Sequence, residues 1–146
     1  MTELDIQESL FDRFKSLNEF SGVPFLAADD DGNYLNVSFP NVPFEAPGDK
    51  RWFELTFRSN EPEAAALMHD AQERFTGVLY IDIITPTDAG EDEAREKFRW
   101  IARLFRRGTY FDDVCINKCY VSTKGAEADH YRLQAAVEWD ADIDIE

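Results

Sequence analysis

The residues able to do covalent or acid–base chemistry are few and poorly spaced. The cysteines are Cys115 and Cys119, and the histidines are His69 and His130. The cysteines fall four apart in the β-like run Val114-Cys115-Ile116-Asn117-Lys118-Cys119-Tyr120-Val121. On a regular strand they share one face, roughly 13 Å apart at ~3.3 Å per residue. A disulfide needs Cα atoms within about 7 Å, so the expectation is two free thiols in a reducing compartment. Zinc binding asks for C-x2-C spacing and further ligands, and neither is present. One nucleophile–base pairing can be drawn, Cys119 with His130, if the strands that carry them are neighbours. No oxyanion loop accompanies it. The turn Asp29-Asp30-Asp31-Gly32-Asn33 opens like a calcium loop, but its twelfth position is Pro40, where a bidentate Glu is required. It reads as a solvated turn. The sequence contains no G-x-S-x-G, H-E-x-x-H or P-loop motif. The expectation is no catalytic group, no metal and no cofactor.

The elements that carry these residues are legible from periodicity. Ile6, Leu10, Phe14 and Leu17, with Phe11 beside them, recur at helical spacing. Thr2 and Asp5 form a capping box, and Ser21-Gly22 followed by Pro24 stops the helix. Phe25-Leu26-Ala27-Ala28 is a short strand or extended segment, and residues 40–48 are a Pro-rich link. Residues 51–58 alternate as a strand, with Phe53, Leu55 and Phe57 on one side. Residues 75–84 are apolar on both faces for part of their length and predict a central strand. A second helix follows, capped by Asp88 with Glu91, striped by Ala94, Phe98, Ile101, Ala102 and Phe105, and ended by Gly108. Residues 113–122 and 131–140 predict two further strands around a turn at 124–127. The fold class is α+β: a four- to five-stranded, mostly antiparallel sheet with two helices on one face. The expected core is Phe53, Leu55, Phe57, Leu79, Ile81, Phe98, Ile101, Phe105, Leu133 and Val137.

The chain has 146 residues, 44% hydrophobic and 14% aromatic, which fits one domain over residues 1–146 with a real core. Asp and Glu total 30 against 15 Lys and Arg, giving a net charge of −15. That field repels a phosphate backbone and disfavours ordinary nucleic-acid binding. An acidic run, residues 140–146, closes the sequence. Three readings follow: solubility, a DNA mimic, or a surface that DNA passes without sticking. No apolar run approaches the ~20 residues of a membrane span, and the acidic start lacks a signal peptide's basic and apolar regions. A secreted or membrane protein is therefore not expected.

Several pieces, in order along nearly the whole chain, resemble one family. They are the N-terminal helix, Asn41-Val42-Pro43-Phe44, then Trp52-Phe53-Glu54-Leu55. Next come Phe75-Thr76-Gly77-Val78-Leu79-Tyr80-Ile81-Asp82-Ile83 with Thr85-Pro86 and Gly90, then Ile101-Ala102-Arg103-Leu104-Phe105-Arg106-Arg107-Gly108. Last are Tyr131-Arg132-Leu133 and Val137-Glu138-Trp139-Asp140-Ala141-Asp142. Together they resemble the phage tail-terminator-like proteins. The resemblance implies a structural virion protein of the tail neck, assembled in the host cytoplasm. It implies a homo-oligomeric ring, usually a hexamer, that caps the tail tube protein, halts its polymerisation and docks to the head connector or stopper protein, with DNA passing through its lumen. A head–tail connector or stopper is the alternative within that class. An acidic DNA-mimic inhibitor and a small enzyme are the alternatives outside it.

A ring subunit needs two different contact faces. Arg103, Arg106 and Arg107 crowd a helix C-terminus, where they either compensate the dipole or pair with carboxylates of an adjacent subunit. The stretch 59–74 is long for a hairpin link and carries the apolar patch Ala64-Ala65-Ala66-Leu67-Met68 among acids. It reads as a mobile arm that orders on assembly or as a short helix closing the core. The expected interface residues are Arg58, Glu61, Glu63, Leu67, Met68, His69, Arg74, Arg103, Arg106 and Arg107.

Overall fold

Apolar residues every three or four positions wind the N-terminus into helix, and Ile6, Leu10, Phe14 and Leu17 are all buried by it. A computed structural model describes residues 3–60, 63–64 and 72–144. The helix comes in two pieces, α1 (Glu3–Lys15) and α2 (Leu17–Ser21), where one was expected. Ser16 makes the break: its Oγ donates to the Arg13 carbonyl at 2.5 Å, competing with the backbone ladder. Gly22 closes α2 in the left-handed region at φ 72°, with its N–H on the Asn18 carbonyl. The capping box lies partly outside the described residues, because Thr2 does.

Seven strands follow among the described residues: β1 (Val37–Ser38), β2 (Trp52–Ser59), β3 (Glu63–Ala64), β4 (Gln72–Pro86), β5 (Tyr110–Phe111), β6 (Val114–Ala126) and β7 (His130–Asp144). They form one sheet in the order β1-β2-β4-β7-β6-β5, with β3 beside β4. The four long strands are the antiparallel sheet that the alternation predicts. Three strands of two residues enlarge it beyond the four or five expected, and β1 joins β2 in parallel, so the sheet is mixed. Strands that short carry no readable alternation. Residues 25–28 form no strand; Ala28 makes a single bridge to Tyr34.

One sheet face is covered by helices. Phe53, Leu79, Ile81, Ile83, Leu133, Ala135, Val137 and Trp139 point into a single core with α1 and with α3 (Gly90–Leu104). Phe14 meets Phe53 edge-on at 5.5 Å. On α3, Ala94, Ile101 and Leu104 are buried, as is Phe105 just beyond its end. Phe98, expected in the core, is only half-buried. Lys97 takes the neighbouring place, its ammonium 5.5 Å from the Phe53 ring centre, and turns Phe98 to the flank. Phe57 is also half-buried, stacked on Trp139 at 5.4 Å and 12°.

The ends of α3 differ from expectation. A 3-10 turn, Thr87–Ala89, precedes it, and no side chain caps it, so Asp88 does not. Glu91, Asp92 and Glu93 instead place negative charge in the first turn. At the other end Phe105 is the cap position, and Gly108 (φ 85°) turns the chain toward β5 three residues later. Arg13 of α1 closes this end, donating from Nε and Nη2 to the Leu104 carbonyl at 3.2 and 3.1 Å.

Two bulges in β6 overturn the simple alternation. Register shifts between Ile116 and Lys118, and again between Val121 and Thr123. Each extra residue flips the face of those after it. Cys115 therefore pairs with Asp140 on one face while Cys119 pairs with Val137 on the core face, contrary to a shared face. Both remain free thiols. The strand also outruns the expected turn at 124–127, and Glu127 N–H closes the hairpin on the His130 carbonyl at 2.7 Å. The acidic run from Asp140 is not a tail as far as Asp144: it is the end of β7, paired with residues 72–76 of β4. The stretch 59–74 begins and ends in a ladder, with Glu63 opposite Arg74 and Ala64 opposite Glu73. Its described ends are thus strand, neither helix nor free arm. Residues 65–71 lie outside the described residues.

Gly77 is a tight point of the sheet. A Cβ there would sit 2.1 Å from the Arg58 carbonyl oxygen and 2.6 Å from the Trp139 ring. Gly77→Ala is expected to destabilise by at least about 1–3 kcal/mol, as overpacked sites do. Phe105→Ala should cost about 3–5 kcal/mol and Phe98→Ala clearly less. Urea denaturation of the three variants checks both orderings, and equal losses at Phe98 and Phe105 would contradict the assigned helix faces.

Candidate interaction surfaces

The side chains with chemistry in the sequence are kept apart. Cys119 registers with Val137 and His130 with Pro86, seven residues away along β7, or about 23 Å. Burial pushes the Cys119 thiol up to about 12, so it is not a thiolate near neutral pH. His130 Nδ1 lies 2.7 Å from Asp129, and Nε2 lies 2.8 Å from Glu127 without hydrogen-bond geometry. Asp29 folds its own turn, its Oδ1 accepting from the Asp31 and Asn33 N–H groups at 2.9 Å each. Among the described residues, no group of three or more His, Cys, Asp or Glu is placed to hold a metal ion. No helix among them is long and apolar enough to cross a membrane.

The sheet face turned away from the helices carries a charged cluster at the β6–β7 hairpin end. Arg132 Nη1 donates to Glu54 at 2.9 Å and to Asp82 at 2.6 Å, while its Nε donates to Glu127 at 3.0 Å. Trp52 Nε1 adds a bond to Glu54 at 3.1 Å. Burial works against the Glu54 carboxylate, but the bonds from Arg132 and Trp52 outweigh it and hold its pKa below the ordinary value. Burial likewise opposes the Arg132 charge, and its carboxylate partners prevail and raise its pKa. This cluster was not foreseen. Its signal was the alternation of Glu54, Asp82 and Arg132 with apolar residues on three neighbouring strands.

The residues expected at interfaces separate into two groups. Arg58 is exposed on the helix-free face, its guanidinium 5.9 Å from the Tyr80 ring. Arg74 stands on β4 between Glu63 and Asp142 in register. Glu61, Leu67, Met68 and His69 lie outside the described residues. Arg103, Arg106 and Arg107 are exposed on the helical side, away from Arg58. Arg103 lies 4.8 Å over the Trp100 ring, and Arg106 and Arg107 have no ionic partner among the described residues. Only Arg103 sits in the last turn of α3, so dipole compensation does not account for all three.

Arg103 and Arg106 border a groove of about 760 Å³. Its floor is Phe20, Phe98 and Ala102, and Arg95 and Arg99 complete the rim. Arg95, Arg99 and Arg103 are spaced four apart, one ridge of α3. Arg95 pairs with Glu91, and Arg99 with Glu96 at 2.9 Å. Phe20, 46% exposed, reaches the groove from α2 and meets Trp100 edge-on at 6.2 Å. The arginines were visible in the sequence; Phe20, some 80 positions earlier, was not.

The Arg132 cluster has a pH signature. Glu54 has a folded pKa below its unfolded value, so its stabilisation is complete above the ordinary carboxylate pKa of about 4.3 and is lost as the pH falls through the folded pKa. Arg132→Met leaves Asp82 without its charged donor, and a loss of about 1–3 kcal/mol at pH 7 is expected. The gap between wild type and variant should narrow below about pH 4. Thermal melts at pH 7 and pH 3 measure it; a gap that widens on acidification would contradict the assignment.

Comparison with known proteins adds the family. A search of curated proteins finds no match. A solved structure superimposes over 100% of this chain and 99% of its own, with a TM-score of 0.68 at 13% identity, a likeness of fold alone. The family model described as phage tail terminator protein matches residues 17–139, from α2 through most of β7. The chain belongs to the phage tail terminator family and is a structural protein of the bacteriophage tail.

Proposed function

We propose that the chain forms a ring, six-fold in the finished tail, that caps the tail tube, stops its growth and joins it to the head connector. The family match carries this reading. Two features of the chain support it. The arginine groove on the helical side offers a surface for a neighbouring subunit, and the sheet face with Arg58 and Arg74 offers a separate one for the tube or connector. The net charge of −15 keeps the free subunit soluble and lets DNA pass the lumen without adhesion. In this reading Arg103, Arg106 and Arg107 hold the neighbouring subunit. Arg58, Glu61, Glu63, Leu67, Met68, His69 and Arg74 form the surface offered to the tube or connector.

The experiment is native mass spectrometry over a concentration series, beside negative-stain imaging of tails. Monomers at low concentration and six-fold rings at high concentration or on the tube are the expected result. A dimer stable at all concentrations would contradict the ring and favour the DNA-mimic alternative. A ring that binds the connector but not the tube would identify a stopper instead. Leu67→Asp with Met68→Asp should leave the melting temperature of the free subunit unchanged and cut ring attachment to tubes at least ten-fold.

A further inference from the structure

We propose that the arginine-rimmed groove of one copy receives the β5–β6 hairpin of the next copy, with Tyr110 on the groove floor and Asp112 and Asp113 among the arginines. This rests on the ring reading above and names the contact that closes it.

The groove is built for such an occupant. Six of the chain's 15 basic residues fall within residues 95–107, although the chain as a whole carries −15. Four of them stand around an apolar floor that includes one of the two large aromatic residues most exposed among the described residues, Phe20. An exposed apolar floor ringed by guanidinium groups fits a segment that offers an aromatic ring beside carboxylates.

The other exposed large aromatic residue is Tyr110, 66% exposed, and it sits in such a segment. Strands β5 and β6 are joined by two residues, Asp112 and Asp113, since Phe111 pairs with Val114. Both take positive φ, 47° and 66°. That is the geometry of a tight hairpin turn, where Asn-Gly or Asp-Gly is favoured and two non-glycine residues are strained. The turn keeps two carboxylates at its tip where Asn-Gly would be easier to form. Alternation sends Phe111 inward, under the Arg13 guanidinium at 5.0 Å, and leaves Tyr110 outward. Tyr110 Oη bonds Asp113 at 3.0 Å, which orients ring and carboxylate together. No hairpin residue is among those lining the groove of its own chain. The charges are complementary, and one contact covers both exposed aromatic rings.

The test uses three full-length variants. Asp112→Asn with Asp113→Gly removes both charges while installing the turn pair that the backbone prefers, so the free subunit should melt no lower than wild type. Arg103→Glu with Arg106→Glu reverses the rim. Tyr110→Ala removes the anchor. Sedimentation velocity should show wild type assembling beyond the dimer at high concentration and each variant at least ten-fold weaker in assembly. An equal mixture of the hairpin and rim variants should stop at a heterodimer, because one intact hairpin and one intact groove remain between them. Assembly of any variant at wild-type concentrations, or a mixture that gives monomers only, overturns the proposal. A wild-type chain that stays monomeric throughout overturns a second copy as the occupant. The ring reading is judged separately: variants that still form rings at tail ends defeat this contact alone, while the absence of wild-type rings there defeats the ring.

Discussion

The antiparallel ladder between β4 and β7 is the constraint on which the rest of the molecule depends. It runs in unbroken register from Gln72 opposite Asp144 to Pro86 opposite His130. No bulge interrupts it, so every odd residue of β4 from Leu79 to Ile83 faces the helices and meets Val137, Ala135 or Leu133. A one-residue slip would turn that whole set to the other face. With the register held, β2 adds on one side and β6 on the other, and the helices have one surface to cover. Gly77 is the condition for the far end of the ladder, since the Trp139 ring fills the space where a side chain would stand.

Charge is the second constraint, and it is met differently on the two sides. On the sheet, Arg132 gathers Glu54 and Asp82, which lets these acids sit half-buried between strands, and also bonds exposed Glu127 at the turn. On the helical side Arg95 and Arg99 pair with acids of their own helix and Arg103 lies over Trp100. Arg106 and Arg107 remain without ionic partners among the described residues, and Arg106 borders the apolar floor. The groove rim is thus only partly neutralised, whereas the sheet cluster is internal support.

The architecture was largely legible in the sequence, for physical reasons that also explain what was not. Residues 75–84 could be placed at the centre because part of the run is apolar on both faces, which suits a strand flanked on both edges. The stripe from Ile6 to Leu17 named the first helix, but the break at Ser16 depends on one side-chain bond that periodicity does not report. The cysteine faces were misplaced because a bulge is set by the partner strand, not by local pattern. The end of β7 was hidden by composition: Asp-Ile-Asp-Ile alternates as a strand does, yet its charge reads as a solvated tail. Phe98 fitted the apolar stripe, and the competing claim of Lys97 on the surface of Phe53 could be seen only once the helix was docked. The candidate groove was half-legible. Its arginines lie on one ridge of one helix, while its floor is completed by Phe20 from a separate element.

Whether this subunit ends the tail tube as a ring is tested by cryo-electron microscopy of tails made with and without the chain. With it, tubes should have one length and carry a six-fold ring of this fold at the head-proximal end. Without it, tubes should vary in length and overrun the normal value, with no ring at that end. Tubes of normal, uniform length in the absence of the chain, or density for the chain anywhere other than a tube end, would contradict the claim.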